Sequence, residues 1–202
     1  MNFLHLQNSG ISAIEQADFI LLVGSNPRYE ATVLNARLRK SFLNGASVAS
    51  IGPAADLTFP CENFGDSPAL IKALGEGSGP AFDKLKAAKQ PMVIVGSGVL
   101  RRSDRNALLT AINSAVEKAG NVVQKDGWNG FNVLHDSAGR VAAMDLGFLP
   151  GPKAYEAKAA PKFVYLMASD EYDESAIPAD AFVVYQVSLY TIVCLKLDTR
   201  FP

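Results

Sequence analysis

The chain is poor in the residues that carry redox and metal chemistry. Its 202 residues include only two cysteines, Cys61 and Cys194, and two histidines, His5 and His135. Two distant cysteines in a chain this long make no disulfide framework, and both are expected to be reduced and structural. They fall short of the four thiolates that an iron–sulphur cluster takes. No His/Cys/Asp cluster has metal-ligand spacing. Charge of one sign is also missing, since 19 Lys and Arg stand against 20 acidic residues. A sequence-blind nucleic-acid binder needs a basic excess, so no nucleic-acid partner is expected. No apolar run approaches the roughly 18 residues that cross a bilayer, and no direct membrane insertion is expected. The first residues, MNFLHLQNSG, contain no Lys or Arg. They resemble neither a secretory signal nor an Arg-rich transit peptide. What remains is ordinary for a soluble α/β protein: 49% hydrophobic and 19% charged residues. A chain of this length can form one large domain or a pair of small ones.

The pattern centres on Ala17 to Arg28, ADFILLVGSNPR. Phe19 to Val23 is a continuous apolar run closed by Gly24, which reads as a strand buried on both faces of a parallel sheet. Pro27 suits a helix entry because it lacks the N–H that would be unpaired there. Glu30 to Phe42 is the expected helix, with Val33, Leu34, Leu38 and Phe42 on one side and Arg37, Arg39 and Lys40 outward. The polar tip Gly24 to Arg28 then lies at the carboxyl end of the strand, where open α/β sheets place ligands.

Either side of this unit, Ser12 to Asp18 reads as a loop or helical turn and Ser47 to Ile51 as a second strand. Pro53 to Gly65 reads as an irregular crossing. Asp66 or Ser67, followed by Pro68, starts a helix through Leu74, broken by Gly75, Gly77 and Gly79. Pro80 to Lys89 forms another. Pro91 to Val95 is a third strand closed by Gly96-Ser97-Gly98. Ser103 is expected to cap a helix from Asp104 to Ala119, stopped at Gly120. Asn121 to Gly130 reads as a loop, Phe131 to Met144 as a helix, and Gly147 to Pro161 as a surface crossing or linker. Phe163 to Ala168 and Phe182 to Gln186 are the fourth and fifth strands. Leu22-Val23-Gly24-Ser25 and Ile94-Val95-Gly96-Ser97 share one strand-to-turn logic, with Met167-Ala168-Ser169 a weaker copy. The three read as successive parallel strands of one sheet joined by right-handed crossovers. The fold class is α/β: a mostly parallel sheet flanked by helices in Rossmann-like layers.

Four blocks stand in order along the chain: ADFILLVGSNPRYEATVLNARLRKSF; Ile51-Gly52-Pro53 through Gly65-Asp66-Ser67-Pro68; Pro91 to Gly96; and Trp128 to His135 through Asp145-Leu146-Gly147. In this order they resemble the large iron–sulphur subunit of respiratory complex I, the proton-pumping NADH:ubiquinone oxidoreductase, in its C-terminal, molybdopterin-oxidoreductase-like region. The resemblance runs from about Asn8 to Gln186. It implies that residues 1–186 are part of a larger molybdopterin-oxidoreductase-like domain. The implied function is that of a structural piece of the peripheral arm, supporting NADH-to-ubiquinone electron transfer without carrying a redox centre. It implies no cofactor in this chain: the family's iron–sulphur clusters lie in an N-terminal region that this sequence does not include, and the subunit has lost the molybdenum cofactor. The implied partners are other peripheral-arm subunits of complex I. The implied location is the matrix side of the mitochondrial inner membrane, or the cytoplasmic face of a bacterial one. Two other readings stand beside this one, a domain that still binds a molybdopterin cofactor and a free nucleotide-binding protein. Given the resemblance, the missing transit sequence suggests a chain that begins internally. The last residues, VSLYTIVCLKLDTRFP, have no counterpart in the family. Val187-Ser188 can be encoded by GTAAGT, so 187–202 is expected to be a tail read from an unspliced intron. The alternative is a real lineage-specific tail in which Leu189 to Leu197 adds a strand.

The candidate sites are weighed on their residues. Gly24 to Arg28 could hold a phosphate-bearing cofactor through turn amides and Arg28; a plain turn with Arg28 in a structural ion pair is favoured. Gly96 to Arg101 begins like a dinucleotide fingerprint but has Arg101 at the third glycine. The matching acidic residue would be Glu117, inside a helix, so dinucleotide binding is not expected. His135 is expected to be a packed, hydrogen-bonded side chain on a helix near Trp128, with no partner for base chemistry. Ser97 lacks the G-x-S-x-G elbow of a hydrolase. Asp170, Glu171, Asp173 and Glu174 read as a solvated acidic loop rather than a cation site. No residue is assigned a catalytic, cofactor-binding or metal-binding role.

Overall fold

Phe19–Val23 forms β1, and all five of its residues are buried. This is the centre of the fold. β1 pairs in parallel with β2 (Ser47–Ile51) on one side and β4 (Pro91–Val95) on the other, with Leu21 level with Ala49 and Val93. The short strands β3 (Glu62–Asn63) and β7 (Phe131–Val133) extend the two edges, giving five parallel strands in the order β3-β2-β1-β4-β7. The α/β class read from the sequence is what the protein adopts. The computed structural model describes residues 9–120, 123–135, 137, 139–148, 160–167, 169, 175 and 177–186. The chain divides into two compact units, 1–147 and 148–202.

The two-residue period of the strands sorts their side chains into two cores. Ile20, Leu22, Val48, Met92 and Ile94 meet Leu34 and Leu38 of helix α2 (Thr32–Leu43), together with Leu57 and Trp128. Phe19, Leu21, Val23, Ala49, Ile51, Val93 and Val95 face the opposite way. They pack on α3 (Pro68–Glu76), α4 (Pro80–Ala87) and α6 (Arg105–Ala119). Each fully buried aliphatic side chain contributes about 1.5–3 kcal/mol of hydrophobic free energy, and the central strands are nearly continuous runs of such residues. Helices α3 and α6 cross at Gly75. A Cβ there would come within 2.7 Å of the Ala111 carbonyl oxygen. The Gly75 carbonyl accepts from Ser114 Oγ at 3.1 Å and Lys118 Nζ at 2.8 Å. Gly75 therefore belongs to the helix, which ends at left-handed Gly77.

Several expected elements differ. The helix after β1 is broken at Ala31 (φ −155, ψ 77) into α1 (Pro27–Glu30) and α2. A one-turn helix, α5 (Ser97–Leu100), precedes α6, and Asp104 rather than Ser103 is the residue before it. The 121–130 stretch holds an antiparallel pair, β5 (Gln124–Lys125) and β6 (Trp128–Asn129). The stretch from Phe131 to Met144 is not one helix. Phe131–Val133 is β7, and only Arg140–Asp145 is helical, as α7. Phe131 and Val133 suit a strand, and the open edge of β4 supplies hydrogen bonds that outweigh their match to a helical period. Asn132, buried between them, donates to Gly130 O and Ser9 Oγ, both at 3.2 Å. β8 (Phe163–Met167) pairs in parallel with β9 (Phe182–Gln186), but in a two-stranded sheet of their own. The third strand-to-turn copy is therefore not a member of the large sheet. His5, Cys194, the acidic stretch 170–174 and the tail 187–202 lie outside the described residues.

Candidate functional site

The carboxyl ends of β1, β2 and β4 come together where the chain changes direction across the sheet. Gly24 ends β1 with φ +57, a left-handed backbone that favours glycine. Its N–H donates to Ile51 O at 2.8 Å, and its carbonyl accepts from Gly98 N at 2.9 Å. The turns after β1 and β4 sit directly on each other. A Cβ on Gly96 would lie 2.4 Å from Ser25 Cβ, and one on Gly98 would lie 2.6 Å from Gly24 O. The close approach that Gly96 and Gly98 allow is thus taken by the neighbouring turn.

Over these strand ends lies a cavity of about 400 Å³. Pro53, Ile71 and Leu108 give it an apolar wall, and its charged lining residues are Glu30, Asp66 and Arg102. Glu30, the last residue of α1, joins the two turns. Its carboxylate accepts from Ser25 Oγ at 3.0 Å and from Ser97 Oγ at 2.9 Å. Asn26 Oδ1 is buried at the same rim with no hydrogen-bond partner among the described residues.

The cations nearby are already paired. Arg102 donates from Nε and a terminal nitrogen to the two oxygens of Asp104, at 2.7 and 2.9 Å. That pairing holds the Asp104 carboxyl below the usual range. Arg28 bonds Asp56, whose pKa is lowered first by the Thr58 N–H and then by Arg28. Arg28 therefore stands in a structural ion pair, the role favoured for it from the sequence.

Comparison with known proteins places this geometry in a lineage. The family model described as molybdopterin oxidoreductase matches residues 2–202. The chain belongs to the molybdopterin oxidoreductase family. It is 46% identical over 184 residues to the mitochondrial NADH-ubiquinone oxidoreductase 78 kDa subunit of Neurospora crassa, covering 90% of this chain and 24% of that protein. It is 44% identical over 184 residues to the mitochondrial NADH dehydrogenase (ubiquinone) iron-sulfur protein 1 of Solanum tuberosum, with the same two coverages, 90% and 24%. Against the NADH-ubiquinone oxidoreductase 75 kDa subunit of Reclinomonas americana the identity is 36% over 188 residues, covering 90% of this chain and 27% of that subunit. The chain spans about a quarter of the length of the curated relatives it matches. The resemblance to the large iron–sulphur subunit of complex I holds across nine-tenths of the chain.

A molybdopterin group carries phosphate, so a site for it needs unpaired donors and positive charge. The donor set at these strand ends does not fit. The two serine hydroxyls are spent on Glu30, Arg28 and Arg102 are spent on carboxylates, and the lining adds Asp66. The side-chain hydroxyls and the two arginines described at these strand ends are thus engaged with carboxylates of the chain itself.

The other candidates fall apart in space. Gly96-Ser97-Gly98 opens only the single turn α5, with Arg101 capping its far end. Glu117 lies exposed within α6 and accepts from Asn113 at 2.8 Å. Ser97 is buried, and its described hydroxyl partner is a carboxylate rather than a histidine. His135 follows β7, half-buried, and does not stand on a helix. Cys61 is a half-buried free thiol whose pKa is pushed up by burial. Among the described residues, no group of three His, Cys, Asp or Glu could hold a metal ion, and no helix is long and apolar enough to cross a membrane. Glu30 is the residue that sequence reasoning missed. In the sequence it reads as the first residue of an amphipathic helix. Its signal is the paired Gly-Ser that ends both β1 and β4, with one acid close behind the first copy.

Proposed function

We propose that this chain is a structural part of the large iron–sulphur subunit of complex I, supporting NADH-to-ubiquinone electron transfer from the peripheral arm without holding a redox centre. Its partners are other peripheral-arm subunits, and its place is the matrix side of the mitochondrial inner membrane. The observation that carries this reading is the pairing of high identity to those subunits with strand ends whose two serine hydroxyls are bonded to Glu30. The described cysteine, Cys61, is a lone half-buried thiol, which suits a scaffold better than a cluster site.

The test has two arms. The stretch 9–186 is exchanged for the matching stretch of the fungal 78 kDa subunit, and complex assembly is followed on native gels together with NADH:ubiquinone activity. An assembled, active complex is expected. The purified 202-residue chain is also assayed for iron, molybdenum and pterin fluorescence, and a colourless sample without these is expected. Stoichiometric molybdenum with pterin would overturn the reading in favour of a cofactor-binding oxidoreductase domain, for which the cavity at the strand ends is the place.

A further inference from the structure

We propose that Glu30 is a built-in anion that closes the strand-end cavity to phosphate-bearing ligands. This deepens the reading of an inert cofactor fold and rests on it. The strand ends retain the parts of an anion cradle. Two glycine turns meet there, each followed by a serine; Ser25 and Arg102 line the cavity, while Ser97 is buried and reaches it through Glu30. A hydroxyl donates one proton, and both serine protons point to the same acceptor, the Glu30 carboxylate. One negative charge with two oxygens thus occupies the position where the oxygens of a phosphate would be bonded.

The backbone explains why this acid reaches the cavity. Helix α1 is a single turn that ends at Glu30, and Ala31 leaves helical geometry before α2 begins. A continuous helix from Pro27 would have no break at this point. The break holds Glu30 within reach of Ser25 on its own turn and of Ser97, 67 residues away on the neighbouring one. A second anion brought into the cavity would meet Glu30 and Asp66 against Arg102, itself engaged by Asp104. It would find the charge balance unfavourable and the hydroxyls occupied.

Inorganic pyrophosphate is the probe, titrated calorimetrically into the 202-residue chain at constant ionic strength. Wild type is expected to show no saturable heat up to millimolar pyrophosphate. Glu30→Ala, which frees both hydroxyls and removes the charge, is expected to bind at least tenfold more tightly than wild type. Glu30→Gln is expected to fall between them, because it keeps the shape and one acceptor while losing the charge. Adding Ser25→Ala and Ser97→Ala to Glu30→Ala is expected to abolish the gain. If Glu30→Ala melts at a lower temperature than the assay allows, Glu30→Gln decides by the same criterion. Folded variants that gain no affinity would overturn the role of Glu30 and leave the inert-cavity reading standing. Saturable binding by wild type would instead overturn that reading as well.

Discussion

At the residue scale, side chains whose chemistry is visible in the sequence are mostly engaged with one another. Glu15 is the clearest case. It lies in the 3₁₀ turn Ile11–Gln16 and pairs with Arg37 and Lys40 of α2. Lys40 lowers its pKa most, burial opposes it as the next largest effect, and Arg37 adds to the lowering. A carboxylate whose folded pKa is depressed stabilises the fold above its unfolded pKa, near 4.3, and loses that contribution as pH falls through the folded value. Glu15→Gln is therefore expected to lower Tm by about 1–3 °C at pH 7, since exposed pairs are weak. The difference should shrink as pH falls through the depressed folded pKa, where wild type becomes protonated too. A Tm gap of the same size at pH 7 and pH 2.5 would show that Glu15 acts through packing rather than charge. These partnerships were not legible in advance, because Glu15 and Arg37 are 22 residues apart and only the docking of the turn on α2 joins them.

At the element scale, strands buried on both faces were the most legible part of the chain. β1, β2, β4 and β9 run over the residues expected of them, and α6 differs by one residue at its start. β1 and β4 are continuous apolar runs buried throughout and α6 carries a long regular stripe, so their local pattern agrees with their tertiary environment. The errors fall where a strand is short and tertiary pairing decides. β3 and β7 have two and three residues, and each is a strand only because an edge of the sheet is beside it. The candidate site shared this fate: Gly24 and Gly96 were read correctly as strand ends, but Glu30 was hidden by a helix break that no residue type announced. The central role of β4 has a direct test. Ile94 is 1% exposed and pairs between Leu22 and Asn132 in the sheet. Ile94→Asp places an unpaired charge among Ile20, Leu22 and Met92. The expected cost is about 4 kcal/mol or more, a large share of the ~5–15 kcal/mol that holds a typical domain. Denaturant titration should find this variant unfolded or close to it in dilute buffer. A midpoint equal to wild type would mean that β4 is not a core strand.

At the scale of the whole molecule, the described sheets of the two units differ in how exposed their apolar side chains are. The large sheet of residues 1–147 is covered on both faces by its own helices. In the second unit, β8 and β9 form a two-stranded parallel sheet on which Phe163, Tyr165, Met167 and Phe182 are 59%, 46%, 65% and 46% exposed. A pair of strands is marginal in water unless a third strand or a helix joins it, and among the described residues the second unit shows these two strands alone. An apolar face of this kind is a docking face in proteins that keep one. The consequence is a gradient of stability within one chain. Amides of β1 and β4 should exchange only through global unfolding. Those of β8 and β9 should exchange at least about 100-fold faster, through a local opening that leaves the large sheet intact. Hydrogen exchange read by mass spectrometry on the isolated chain tests this. Equal protection in β8 and β1 would show that the small sheet unfolds together with the large one, and its exposed aromatic face would then need no further covering to be stable.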